Sequence, residues 1–288
     1  MKSGFIGLSS AVARRFLLFL FLVLSASQSA FACASDAGLD AVLSPKHLVL
    51  FGEIHGTAEA PAVFSSAVCR ALEQGHEVSV GLEFNRDQAE ALRIYLASEG
   101  NKAVVEGLLH SPFWSRAMQD GRSSVAMLDM VEHLRQLQHR YPTLSVFVLY
   151  EQIDSAAAGA TPDEIMANRV RLERVRRPQA LMLVLVGNYH TRLRSEGTET
   201  PAPPNARNAP KPMGGLLADL SPLSILLQPN GGSAWICTPE CRIQTLATHQ
   251  DLRTGSSTAY RVLDKDALYS AALSIGSTTA SPPAIQKQ

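Results

Sequence analysis

Two glutamates and two histidines stand out by type and by spacing. Glu53 and His55 fall in FGEIHGT, Glu83 in VGLEFN and His190 in VGNYH. Side chains two apart on an extended segment point the same way, so Glu53 and His55 can converge on one point. A carboxylate or imidazole with a pKa brought near neutrality takes a proton from water, and a second imidazole stabilises or protonates a leaving group. Two histidines with one or two carboxylates also form a donor set for Zn²⁺ or Mn²⁺ with a position left open for water. On this reading Glu53 is the general base, His55 and His190 are metal ligands or acid–base partners, and Glu83 is an orienting or ligating carboxylate.

Each cluster lies at the end of an apolar run. Residues 47–53, 77–84, 144–150 and 181–187 are short runs rich in strand formers. Helical periodicity separates them at 60–74, 86–98, 102–110, 122–140 and 161–177, the last opening on Thr161-Pro162-Asp163-Glu164. Strand–helix alternation with continuously apolar strands predicts an α/β fold: a largely parallel sheet with helices on both faces. In such sheets ligands bind beyond the carboxyl ends of the strands, which is where three of the four runs place their polar residues. Downstream, 195–212 (SEGTETPAPPNARNAPKP) has no apolar periodicity and is expected to be a mobile loop. Met213 to Leu220 reads as a short helix. Residues 223–228 and 233–238 read as a C-terminal β-hairpin turning at Asn230-Gly231-Gly232. The Ser/Thr/Ala/Pro-rich stretch 275–288 is expected to be a disordered tail after a single α/β domain over 33–274.

FGEIHGTAEAP, VGLEF with RDQ behind it, and VGNYH about a hundred residues later resemble the superfamily that joins erythromycin esterases, ChaN-like haem-uptake lipoproteins and TIKI-type proteases. The likeness spans roughly residues 47 to 190. It implies a mixed α/β fold and a cleft holding Glu53, His55, Glu83 and His190. Members differ in chemistry, so two functions follow as expectations. One is a hydrolase acting on a small-molecule or peptide substrate, with or without a divalent metal. The other is a non-enzymatic haem- or iron-binding uptake protein in which Tyr189 and His190 are the axial ligands. A third reading keeps the framework as a binding protein without chemistry.

Composition narrows the partners. Twenty-six basic and 26 acidic residues cancel, which disfavours nucleic acid. Lys2, Arg14 and Arg15, then Phe16 to Ser25, then Ala30-Phe31-Ala32 read as the three regions of a secretory signal cleaved after Ala32. The chain is therefore expected to be periplasmic or extracellular, with no transmembrane span in its mature part. Cys33 would follow the cut and offers a lipid-anchor site, but Ala30 and Phe31 depart from the lipoprotein pattern, so soluble export is the expectation. Export permits disulfides. Cys237-Thr-Pro-Glu-Cys241 has a turn between its cysteines and is expected to close one, while Cys69, on an apolar helical face, is expected to be a buried free thiol.

Overall fold

A computed structural model describes residues 33, 37–43, 48–150, 159–195, 210–248 and 259–285. The signal sequence expected at 1–32 and nearly all of the loop expected at 195–212 lie outside the described residues.

The chain from Ser35 onward is one compact unit. It begins with helix α1 (Ala37–Leu43) and strand β1 (Leu48–Glu53), followed by α2 (Glu59–Glu73) and β2 (Val78–Asn85). Helices α3 (Ala89–Leu96), α4 (Lys102–Leu109), α5 (Pro112–Ser115) and α6 (Val125–Arg140) lead to β3 (Leu144–Tyr150). Then come α7 (Pro162–Arg176), β4 (Leu181–Gly187) and α8 (Met213–Leu216). Strands β5 (Leu223–Cys237), β6 (Cys241–Thr245), β7 (Tyr260–Val262) and β8 (Ala271–Thr278) complete it.

The sheet order is β3-β2-β4-β1-β5-β8-β7, with β6 paired only to β5. The pairs from β3 through β8 are parallel; β7–β8 and β5–β6 are antiparallel. Every residue of β1 and β4 is buried, as expected of strands covered on both faces. Alternation along β1 sends Leu48 and Leu50 to the face covered by Met166, Ala167 and Val170 of α7 and Met213 of α8. Phe51 goes to the other face and meets Phe64 of α2 edge-on, with ring centroids 5.4 Å apart. Helix α7 starts as its sequence dictates: Thr161 and Glu164 form a reciprocal capping box, with Pro162 in the first turn.

Three expectations need correction. Asn230-Gly231-Gly232 is not a hairpin turn: β5 runs through it, and the hairpin turns instead at Thr238–Glu240 between β5 and β6. Gly231 and Gly232 have φ of 80° and 93°, and the register of β5 against β8 shifts there. The turn-forming residues make an irregularity within a strand instead. A Cβ on Gly232 would lie 2.1 Å from the carbonyl oxygen of Thr278, so glycine is needed for β8 to pass. Second, residues 275–278 complete β8 and 279–285 are ordered against the body of the protein, although their composition reads as a disordered tail. Third, Cys69 is disulfide-bonded, as is Cys33, and no described cysteine is free. Cys69 does face the core, at 5% exposure. Helical periodicity reports burial, not whether a distant cysteine reaches it. The Cys237–Cys241 disulfide is present. Among the described residues no helix is long and apolar enough to cross a membrane.

Candidate functional site

Strands β2, β4 and β1 lie side by side, and their carboxyl ends build the site. Glu53 is the last residue of β1 and is in register with Gly187, the last of β4. Glu83 lies near the end of β2, one residue past Leu82, which pairs with Leu185. Both carboxylates are buried, Glu53 to 2% and Glu83 to 4% exposure. Buried charges on this scale need partners. His55, just beyond β1, is the shared one. Its Nδ1 lies 2.9 Å from Glu53 Oε1 and its Nε2 3.4 Å from Glu83 Oε2.

Gly187 makes this reach possible. The imidazole passes over the end of β4 to join carboxylates on the strands to either side. A Cβ on Gly187 would sit 2.9 Å from His55 Nε2 and 3.5 Å from Glu83 Oε2. The backbone N–H of Gly187 also donates to Glu83 Oε2 at 2.7 Å. Beyond β4 the N–H of Asn188 donates to the carbonyl of Glu53 at 2.8 Å, tying the two strand ends together.

These contacts set the charges. Burial alone would lower the pKa of His55, but the charges of Glu83 and Glu53 and their hydrogen bonds outweigh it and raise it to about 10. Burial would raise Glu83, yet the charge and hydrogen bond of His55, then the charge of Arg122, hold it at about 2. His55 is therefore an imidazolium at neutral pH and Glu83 a carboxylate. Glu53 Oε2 is buried and has no hydrogen-bond partner, although Glu53 lines the cleft.

Residues that strand-end reasoning did not flag complete the site. Arg122 donates from Nη1 to Glu83 Oε1 at 3.0 Å. Asp120 holds the other side of that guanidinium, accepting from Arg122 Nη2 at 2.7 Å and from Arg116 Nη2 at 2.6 Å. Both lie before α6 in DGRSS, Asp120 capping a short 3-10 helix (Gly121–Ser123) that holds Arg122, and no apolar run marks the segment. Asp163, in the first turn of α7, accepts from the N–H of Met213 at 2.7 Å and lies 2.9 Å from His190 Nδ1. Its place in a helix-start motif gives it the appearance of a routine cap residue. Its burial, at 7% exposure, is the distinguishing signal.

Glu53, His55, Asp120, Gly187, Tyr189 and His190 line one cleft of about 330 Å³, with Trp235 and Ile236 of β5 along another wall. Glu83 supports His55 from beneath. Because Asp163 is an acceptor, Nδ1 of His190 carries a hydrogen, and Nε2 is the ring nitrogen that Asp163 leaves available. Tyr189 is half exposed, its ring edge-on to His190 and stacked by the Arg192 guanidinium at 4.8 Å. Arg169 faces away from this cleft, stacking on Phe147 at 4.9 Å and lying 3.6 Å from Glu173.

The four residues expected to ligate a metal do not form a compact ligand cluster among the described residues.

No family model matches the chain, and no curated protein matches it in sequence. Solved structures do. A succinoglycan biosynthesis protein superposes with a TM-score of 0.53 at 11% identity, covering 85% of this chain and 91% of the other. A Bacillus cereus protein gives 0.52 at 10% identity, with 86% and 93% covered. Neighbours also include ChaN of Campylobacter jejuni, in a structure described for cofacial haem binding, at a TM-score of 0.33 and 13% identity, with 66% and 84% covered. For the first two, identities this low show a shared fold alone.

Proposed function

We propose that the chain is an exported hydrolase of a small-molecule or peptide substrate, and that it activates water with His190 opposite a fixed cation, His55. The observation that carries this reading is the unlike hydrogen bonding of two histidines on one cleft. Asp163 engages Nδ1 of His190 and leaves its Nε2 available for proton transfer, while two buried carboxylates hold His55 protonated. Such a division of acid and base roles by environment is how one site runs both chemistries at a single pH. Nε2 of His190 takes a proton from water as the oxygen bonds to a substrate carbonyl carbon. The charge that develops on the carbonyl oxygen is met through space by the positive charge of His55, whose two N–H groups stay on Glu53 and Glu83. The bond to the leaving group then breaks, and the leaving group takes the proton from His190. This reading moves the base from Glu53, the sequence-based expectation, to His190.

The cysteines bear on the compartment. Disulfide-bonded cysteines are consistent with export. A Cys33 sulfur held in a disulfide has no thiol to carry a lipid, which favours soluble export.

The test is a panel of activated esters and amides offered to the purified mature protein and to His190→Ala. Hydrolysis by the parent should fall 10²–10⁴-fold in the variant, the usual contribution of a general base. His190 is only partly buried, and Asp163 keeps its bond to Met213. The variant should thus lose no more than about 1–2 kcal/mol of stability. No hydrolysis by the parent, together with a haemin absorption band that His190→Ala abolishes, would replace this reading with the haem-binding one.

A further inference from the structure

The C-terminal segment after β8 lies across the two loops that carry His55 and Arg122. On one side, Ser281 N–H donates to Gly56 O at 2.8 Å, and Ala58 N–H donates to Thr279 O at 2.9 Å. Thr279 N–H also donates to the Glu59 carboxylate at 2.9 Å. On the other side, Val125 N–H donates to Pro282 O and Ala284 N–H to Ser123 O, both at 2.9 Å. Ala126 N–H donates to Ser281 Oγ at 2.9 Å. Ser281 is thus bonded through its backbone to the residue after His55 and through its hydroxyl to the start of α6. It is 4% exposed. The Gly56 carbonyl accepts a second bond from Trp235 N–H at 2.9 Å, so β5 holds the same loop from the cleft side.

We infer that residues 279–284 are a strap that positions His55 and Arg122 relative to Glu83, with Ser281 as its central positioning residue. Arg122 and His55 reach Glu83, on β2, from separate segments of the chain. The two segments pack on each other where Gly121 meets Gly56, Trp235 bonds to both through its backbone N–H to Gly56 O and its indole N–H to Gln119 O, and the strap adds a second tie across them. Terminal segments are poorly ordered unless tied down; this one is tied at both loops. Its role does not depend on which reaction the cleft performs.

The experiment is an NMR pH titration of the His55 ring in full-length mature protein labelled with ¹⁵N-histidine, with thermal unfolding measured on the same samples. The groups facing His55 are Glu53 and Glu83 in contact, with Asp120 and Arg122 around them. Ser281→Pro removes both the N–H and the hydroxyl, and should lower the His55 midpoint by more than one pH unit. Ser281→Ala, which removes the hydroxyl alone, should shift it the same way by less. Leu72→Ala, a core truncation in α2, should lower the unfolding temperature and leave His55 where it is. An unchanged His55 titration in Ser281→Pro would overturn the positioning role, whatever happens to stability. If Ser281→Pro does not fold, an unchanged titration in Ser281→Ala does the same.

Discussion

At the residue scale, the site is a set of ionic contacts that hold one another in place, and a glycine sets their geometry. Glu53 and Glu83 are tolerable in the interior because a single imidazolium lies between them and Arg122 backs one of them. This arrangement ties stability to pH. The His55 pKa is raised on folding, so its contribution is fully present below the ordinary histidine value, near 6.5, and is lost as pH rises toward about 10. The Glu83 pKa is lowered, so its contribution is present above about 4.5 and is lost as pH falls toward about 2. Gly187→Ala should break the first of these. Its new methyl collides with His55 Nε2. We expect a loss of about 1–3 kcal/mol in urea unfolding at pH 7, typical of overpacking, and a weaker fall in stability between pH 7 and 10 than in the parent. A Gly187→Ala protein with the parent's pH dependence would show that the contact across β4 is unimportant. Glu53, His55, Glu83 and His190 could be singled out in the sequence because each follows an apolar run. Arg122, Asp120 and Asp163 could not, because loop and cap positions carry charged residues for many reasons.

At the element scale, the parallel core was legible because each strand is largely apolar and stretches of helical periodicity separate the strands. The four runs expected as strands correspond to β1 to β4 within a residue or so at either end. The second half of the sheet was not. β5 contains Pro229 and two glycines, and local chemistry there favours a turn. Only contact with β8 and the segment after it explains why the strand continues, and that contact is far away in sequence. The same reasoning gives a prediction. Gly232→Ala requires a methyl 2.1 Å from Thr278 O at a φ of 93°. It should cost more than about 2 kcal/mol, whereas exposed substitutions stay within about 0.5 kcal/mol. Denaturant melting of the variant decides it; a change near zero would return residues 230–232 to the status of an ordinary loop.

At the scale of the whole molecule, a parallel α/β sheet places its chemistry at one edge, and a C-terminal segment runs back to that edge from the far side of the sheet. The cysteines offer a check on the compartment. Alkylation of unreduced, folded mature protein should add no label, and alkylation after reduction should add four. A lipid mass on Cys33 with a free thiol at Cys69 would make the protein membrane-anchored. The claim on which the rest depends is that His55 is a cation clasped between Glu53 and Glu83. The most direct measurement is the ¹⁵N signature of its ring at pH 8, in the parent and in Glu83→Gln. We predict a doubly protonated ring in the parent and a largely neutral one in Glu83→Gln. A neutral His55 in the parent at pH 8 would contradict the account.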